Sequence, residues 1–382
     1  MLRFFTRLFP IYLLVTVIAS AGVMAQKVDL DKFSFDVSYI QLPREYVPVD
    51  QRTFGIRLEV SPIISEAYPS DDVYEKINLS GFGKVQQAPT VGITVRLTDF
   101  RFLKSEVETR TEQVKDKDGK VTGTNYYYRQ VATYEGLGTY QINGPKTSDQ
   151  VSAKAPPADA PTNRFLAKAT TPATADAQAL PSVVVNKGWL NQTLTYRSDE
   201  YRNSYDASRA FRDGQLSIRR NLINDFVNVG INTVNYALAN NYGYVPISDR
   251  DHLWILDSKK HPEYDVQQEA IRAVQTLMKG MKATEPLTTL SANLQPLIDY
   301  FESLKGKYTQ DEKPDRKMRY SAYFNLGKLY LLLDQPDKAI AEGNALIKND
   351  YDTKDGERII EAAEQIRQQL SYHHMTERHL KL

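Results

Sequence analysis

The sequence predicts an α+β chain of several domains: a β-rich N-terminal part, a flexible linker, a mixed α/β middle and a C-terminal helical array. Three observations carry this. Apolar residues alternate with period two before about residue 145, the composition collapses to small and polar types over 146–182, and from about 263 apolar residues recur three or four apart. The chain has 382 residues, 41% hydrophobic and 25% charged, ordinary for globular domains and enough for two or three of them.

Residues 1–25 read as a signal peptide. Arg3 and Arg7 form a basic start, Ile11 to Val23 an apolar run, and Val23-Met24-Ala25 a cleavage site that leaves Gln26 first. The run is short of the ~20 residues of a spanning helix, so no integral span is expected after cleavage. The chain holds no cysteine, which excludes disulfides, thiolate nucleophiles and a lipid anchor on sulfur.

Residues 26–145 read as a β-rich domain. Phe33, Phe35, Val37 and Tyr39 alternate, as do Phe54, Ile56, Leu58 and Val60, and then Val91, Ile93, Val95 and Leu97. Asp118-Gly119 marks a hairpin turn, and a two-residue turn there sets Glu108 opposite Arg129 and Thr109 opposite Tyr128. The chain has 24 tyrosines against 14 phenylalanines, and Tyr126, Tyr127, Tyr128 and Tyr134 make this ribbon a candidate partner surface.

Residues 146–182 are rich in Ala, Pro, Thr and Ser without period, and are expected to be a disordered linker or a long loop. Residues 183–262 read as mixed α/β. "VVVNKGWLNQTLTY" is strand-like. Leu222, Ile223, Phe226, Gly230, Ile231, Val234 and Leu238 line one helix face, with Gly243 at its C-terminal cap. "YVPI" and "HLWIL" read as two short strands. These strands are also compatible with completing the first sheet, the linker then being a loop within it.

Residues 263–371 are expected to be all helical. A helix after Pro262 turns Val266, Ala270, Ala273, Val274 and Leu277 inward. A second carries Leu290, Leu294, Leu297, Ile298, Phe301 and Leu304, with Pro296 expected to kink or split it. "YFNLGKLYLLLDQPDKAIAEGNALIKND", Tyr323 to Asp350, reads as two helices joined by a turn at Asp334 to Asp337, and a last helix spans about Asp355 to Leu370. Residues 372–382 read as a solvated polar tail.

The Tyr323–Asp350 stretch resembles a tetratricopeptide repeat. Tyr323 falls on the first aromatic of that pattern, Leu326-Gly327 on its Leu-Gly step, Tyr330 on the next aromatic and Ala339 on the small residue of the second helix. Gly343 and Tyr351 depart from it, standing where an aromatic and a proline are usual. The resemblance implies a TPR-like array in which neighbouring helices cover the pair, with Tyr323, Leu326, Gly327, Tyr330 and Ala339 as the repeat core and a groove for protein partners.

Motifs for chemistry are absent or weak. Ser80 to Lys84 reads as a turn and Gly136 to Tyr140 as a turn or bulge, neither as a phosphate loop, and Asp249-Arg250-Asp251 lacks the ligand series of a calcium loop. Arg219-Arg220 reads as a basic spot at a helix start, engaged in a local ion pair. His373, His374 and His379 have no closed metal-site spacing, and His252 and His261 have no catalytic partner in a motif. No cofactor or metal is expected, and a formal charge of +1 gives no pull on nucleic acid.

The expected function is therefore non-enzymatic: a cell-envelope protein that assembles with other envelope proteins through its helices. The alternatives are a structural subunit of an outer-membrane or surface complex with the ribbon as contact, and a polysaccharide- or peptidoglycan-acting or glycan-binding protein. In overall style (signal, no cysteine, Tyr- and Asn-rich strands, repeat-like end) the chain resembles secreted envelope proteins of the Bacteroidota. Its helical end, unlike a β-rich sorting domain, directs the expectation to the periplasm or the outer membrane's periplasmic side.

Overall fold

The computed structural model describes residues 27–146 and 182–381. The expected signal peptide and nearly all of the expected linker lie outside them. The described chain is mixed α/β and divides into two compact units. One holds residues up to Asp36, Arg250–Gly280 and Leu290–Glu364. The other holds Val37–Asp249, Met281–Thr289 and residues from Gln365 onward.

The second unit is built on a six-stranded sheet in the order β3-β2-β4-β5-β6, with β7 also on β5. Its strands are β2 (Thr53–Val60), β3 (Gly83–Lys84), β4 (Val91–Lys115), β5 (Val121–Pro145), β6 (Ser182–Trp189) and β7 (Gln192–Arg197). Helices α1 (Pro62–Ser65) and α2 (Ser70–Lys76) lie between β2 and β3, and β2 runs parallel to β4. β6 and β7 both run antiparallel along one edge of β5, so chain on either side of 147–181 shares one sheet. The N-terminal strand β1 (Leu30–Gln41), whose alternation matches that of β2, is not in this sheet. It pairs with β8 (Val245–Leu256), a single strand where two were expected.

The hairpin register is the expected one, with Glu108 opposite Arg129 and Thr109 opposite Tyr128. The loop is not the expected two-residue turn. Asp116 N–H and Lys120 O close a longer loop, with Gly119 at φ +79° where a side chain would be strained. Lys115 pairs with Val121 and Val114 with Gly123, so Thr122 is an extra residue, and this bulge restores the register. Gly136 to Tyr140 is not a turn but part of β5, and the irregularity opposite it belongs to β4 between Leu97 and Asp99. Ser80-Gly81 is a turn as expected, with Gly81 at φ +83°.

Helix α3 (Ser204–Tyr242) covers the core face of β5. It starts well before the expected stripe, at an Asn203 cap whose side chain accepts from Asp206 N at 2.8 Å. Ile223, Phe226, Val234 and Leu238 are buried as the period requires. The helix packs close because β5 is bare where its rings arrive. A Cβ on Gly136 would sit 2.5 Å from the Phe226 ring, and one on Gly144 would strike Tyr242, whose hydroxyl donates to Pro145 O at 2.7 Å. Gly243 caps the helix through bonds to Leu238 O and Ala239 O.

The residues after 371 are not a solvated tail. His373 and His379 are each 3% exposed. His379 Nε2 lies 2.9 Å from Ser38 O, Ile40 N–H donates to Arg378 O at 2.8 Å, and Met375 and Leu380 pack on Ile40, Tyr244 and Ala283. Met375 and Leu380 are enough to seat the segment because bonds to the backbone at Ser38 and Ile40 hold its polar stretch.

The first unit carries α4 (Tyr264–Met278), most of α5 (Thr288–Lys307), α6 (Lys313–Leu332), α7 (Pro336–Lys348) and the start of α8 (Thr353–Tyr372). α5 runs through Pro296 as one helix. In α4 Ala270 and Val274 are buried as expected, but the face is turned slightly from the expected stripe: Val266 is exposed, and Gln267 and Ile271 are inside. Gln267 is drawn inward because its Oε1 accepts the Leu256 N–H of β8, while Gln268 Nε2 donates to Leu256 O at 2.8 Å.

Candidate functional site

Of the five residues expected at the repeat core, Tyr323, Leu326, Gly327 and Tyr330 lie in α6 and Ala339 in α7. Leu326 and Ala339 are fully buried, Tyr330 is 7% exposed and Tyr323 is half-buried. The Lys305 ammonium lies 5.4 Å from the Tyr323 ring centre and Lys338 lies 5.2 Å from that of Tyr330. A Cβ on Gly327 would meet Ile359 of α8 at 3.0 Å and Glu342 of α7 only at 3.7 Å, so the glycine makes room for α8 rather than for α7. The turn is tighter than expected: Gln335 N–H returns to Tyr330 O at 2.9 Å, Asp334 takes φ +52°, and Pro336 opens α7.

Neighbouring helices hold this pair by polar contacts within the same unit. Lys305 of α5 bridges Glu342 of α7 at 3.0 Å and Glu302 at 2.5 Å. Burial raises the Glu342 carboxyl above its ordinary range, and the Lys305 ammonium works against that shift. Tyr320 of α6 donates to Asp355 of α8 at 2.6 Å. Gly343 has a physical reason to depart from the aromatic of the repeat pattern. α7 and α8 cross backbone to backbone there, and a Cβ on Gly356 would lie 2.6 Å from Gly343 O. Gly356→Ala should therefore lower stability by about 1–2 kcal/mol, because overpacking outweighs the ~1 kcal/mol that alanine gains in helix propensity. Urea denaturation reads the sign, and a stabilised variant would mean that the two helices separate freely.

The ribbon presents a second surface. Every residue of β4 from Arg101 to Lys115 is exposed. The pairing register fixes what each face carries. On one face lie Glu106, Glu108, Arg110 and Glu112 opposite Val131, Arg129, Tyr127 and Asn125. The other holds Val107, Thr109, Thr111 and Gln113 opposite Gln130, Tyr128, Tyr126 and Thr124, with no charge. This uncharged face continues the core face of β5. It emerges where α3 begins: Ser208 Oγ donates to Gln130 Oε1 at 3.0 Å, and beyond Gln130 the β5 residues are half-buried or exposed while those of β4 opposite are exposed.

The four candidate tyrosines divide accordingly. Tyr126 is 51% exposed on the uncharged face, and Tyr128 is half-buried beside it, its backbone bridged to Tyr201. Tyr127 lies on the charged face, with Arg110 and Arg202 at 4.2 and 4.3 Å from its ring centre. Tyr134 is core, 1% exposed and stacked on Phe100 at 5.7 Å, so it takes no part in an exposed surface. Glu200 clamps the charged face, bonding Arg110 at 2.7 and 2.8 Å and Arg129 at 2.9 Å, and these guanidinium groups hold its carboxyl below the ordinary range. Sequence reasoning missed Glu200 because its partners are 90 and 71 residues away.

Among the described residues no group of three or more His, Asp or Glu side chains is placed to hold a metal ion, and no helix is long and apolar enough to cross a membrane. Compared with known proteins, the chain matches no family model, no curated protein and no solved structure.

Proposed function

We propose that this chain is a non-catalytic protein of the cell envelope that works by protein–protein contact, with the uncharged face of the β4–β5 ribbon as its principal docking surface. One observation carries the reading: a core-type sheet face, rich in Tyr and Thr, continues past the start of α3, and among the described residues its Tyr126 and the β4 residues opposite are exposed. Protein interfaces favour tyrosine and deplete charge at their centres, whereas a strand pair built only for solubility is charged on both faces. The proposal places the protein in the periplasm or on the outer membrane, exported by a cleaved signal.

A photo-crosslinking residue at Tyr126, introduced in the native organism, should capture a stoichiometric envelope protein. The double substitution Thr111→Glu, Tyr126→Glu should abolish that capture without altering the melting temperature. Absence of any adduct at Tyr126, with partners still recovered by a general crosslinker, sinks the ribbon reading. The repeat-like packing of Gly327 and Ala339 favours a second reading, in which α6–α7 carries the contact and the adduct forms from Tyr323 instead.

A further inference from the structure

A cleft of about 620 Å³ lies between the end of α1 and the middle of α3. Its volume is within the range of small-molecule sites. Its walls combine three kinds of group. Ile63, Leu216 and Ile223 are apolar, Arg219 and Arg220 are cationic, and Glu66 is anionic. Arg219-Arg220 is the basic pair that the sequence placed at a helix start in a local ion pair. It lies instead in mid-helix, and among the described residues neither guanidinium forms an ion pair.

Ion pairing is common but not universal among the arginines of this unit, since Arg52 and Arg202 lie against the Tyr244 and Tyr127 rings instead. Arg96, Arg101, Arg110, Arg129, Arg197 and Arg209 each reach a carboxylate within 4.0 Å. Glu66 faces the same cleft and also forms no ion pair, although two arginines share its walls. Opposite charges thus line one cleft, together with apolar side chains, and form no ion pair among the described residues. Leu216 is 77% exposed at the edge, an apolar side chain left in water beside the two cations.

We propose that this cleft binds a zwitterion with an apolar side chain: a free aliphatic amino acid or a short apolar peptide with both ends unblocked. The carboxylate takes Arg219 and Arg220, whose planar donors suit it. The ammonium takes Glu66. The apolar side chain covers Leu216, Ile63 and Ile223. A plain anion would leave Glu66 repelling it, and a plain cation would meet two arginines; only a ligand with both charges uses the whole lining.

The test is isothermal titration of the purified protein with leucine and with the tripeptide Ala-Leu-Ala, each also N-acetylated or C-amidated. Saturable binding of leucine, the tripeptide or both is expected, and which one binds separates the two sources. Blocking either end should weaken it at least tenfold. Arg219→Gln, Arg220→Gln together should abolish binding with an unchanged melting temperature. Glu66→Gln should weaken the free-amine ligand while leaving the N-acetylated one unchanged, a selectivity that loss of fold cannot produce. No saturable binding of any of these probes, or binding indifferent to the end groups, overturns the proposal.

Discussion

Asn325→Leu is expected to cost about 3–5 kcal/mol, since it leaves a buried N–H and a buried C=O unpaired at 1–3 kcal/mol each. The Asn325 side chain is fully buried in α6 and serves a strand, not its own helix. Its Oδ1 accepts the Trp254 N–H of β8 at 2.8 Å, and its Nδ2 donates to Trp254 O at 2.9 Å. Two residues further along the same edge, Gln267 and Gln268 serve the Leu256 N–H and C=O. β8 pairs with β1 alone, so its second edge would otherwise be an open ladder. Three side-chain amides stand in for the missing strand. Leucine keeps asparagine's branched four-atom shape and is somewhat bulkier, so the substitution leaves no cavity, and the loss reports the unpaired groups together with some overpacking. Urea denaturation measures it. A cost under about 1 kcal/mol would mean that water reaches this edge, and the account of β8 would fail.

This edge also shows where the sequence was legible and where it was not. Period alone located α3, the inner strands β2 and β4 of the main sheet and the helices after 263, because an apolar stripe must face a core wherever the core is. Turn chemistry located the hairpin, and its register survived a wrong turn length because Thr122 bulges. Partners distant in sequence stayed hidden. β1 alternates like a sheet strand but lies with β8, and nothing local in "FSFDVSYIQL" names its partner. Amides at core-facing helical positions, Gln267 and Asn325, were the one available signal for the capped edge. They were passed over because an apolar neighbour, Val266, and the Leu326-Gly327 step fitted simpler patterns. For the candidate surfaces the limit is similar. The tyrosines were visible, but their division between a charged face, an uncharged face and the core depends on register and on where α3 begins.

Stability should fall steeply between pH 6.5 and 4 because of His373, a residue that reads in sequence as part of a polar tail. The ring is 3% exposed. Its Nε2 lies 2.9 Å from Pro43 O, a pure acceptor, so Nε2 carries the proton and donates. Nδ1 is then the acceptor, taking the Tyr244 hydroxyl proton at 3.3 Å, and Tyr244 in turn accepts from Arg52 Nη2 at 2.7 Å. A second ring proton would face a hydroxyl oriented by a guanidinium and would add a buried charge near Arg52. Burial first, and then the Arg52 and His374 charges, push the pKa down to about 4, against the Pro43 bond, which raises it. The unfolded chain titrates near 6.5, so between these values it binds more protons than the folded one, and acid favours unfolding. The contribution is whole above about pH 6.5 and lost as pH falls through about 4, an effect of roughly 2–3 kcal/mol. Other groups also titrate in acid, so the measurement is a difference: unfolding free energies of the native protein and His373→Gln in urea from pH 7 to 4. The native protein's advantage should shrink by that amount as pH falls. If the two curves stay parallel, or if the His373 imidazole titrates near 6.5 by NMR, the ring is not buried as a neutral acceptor and the anchoring of this segment on Tyr244 and Pro43 is wrong.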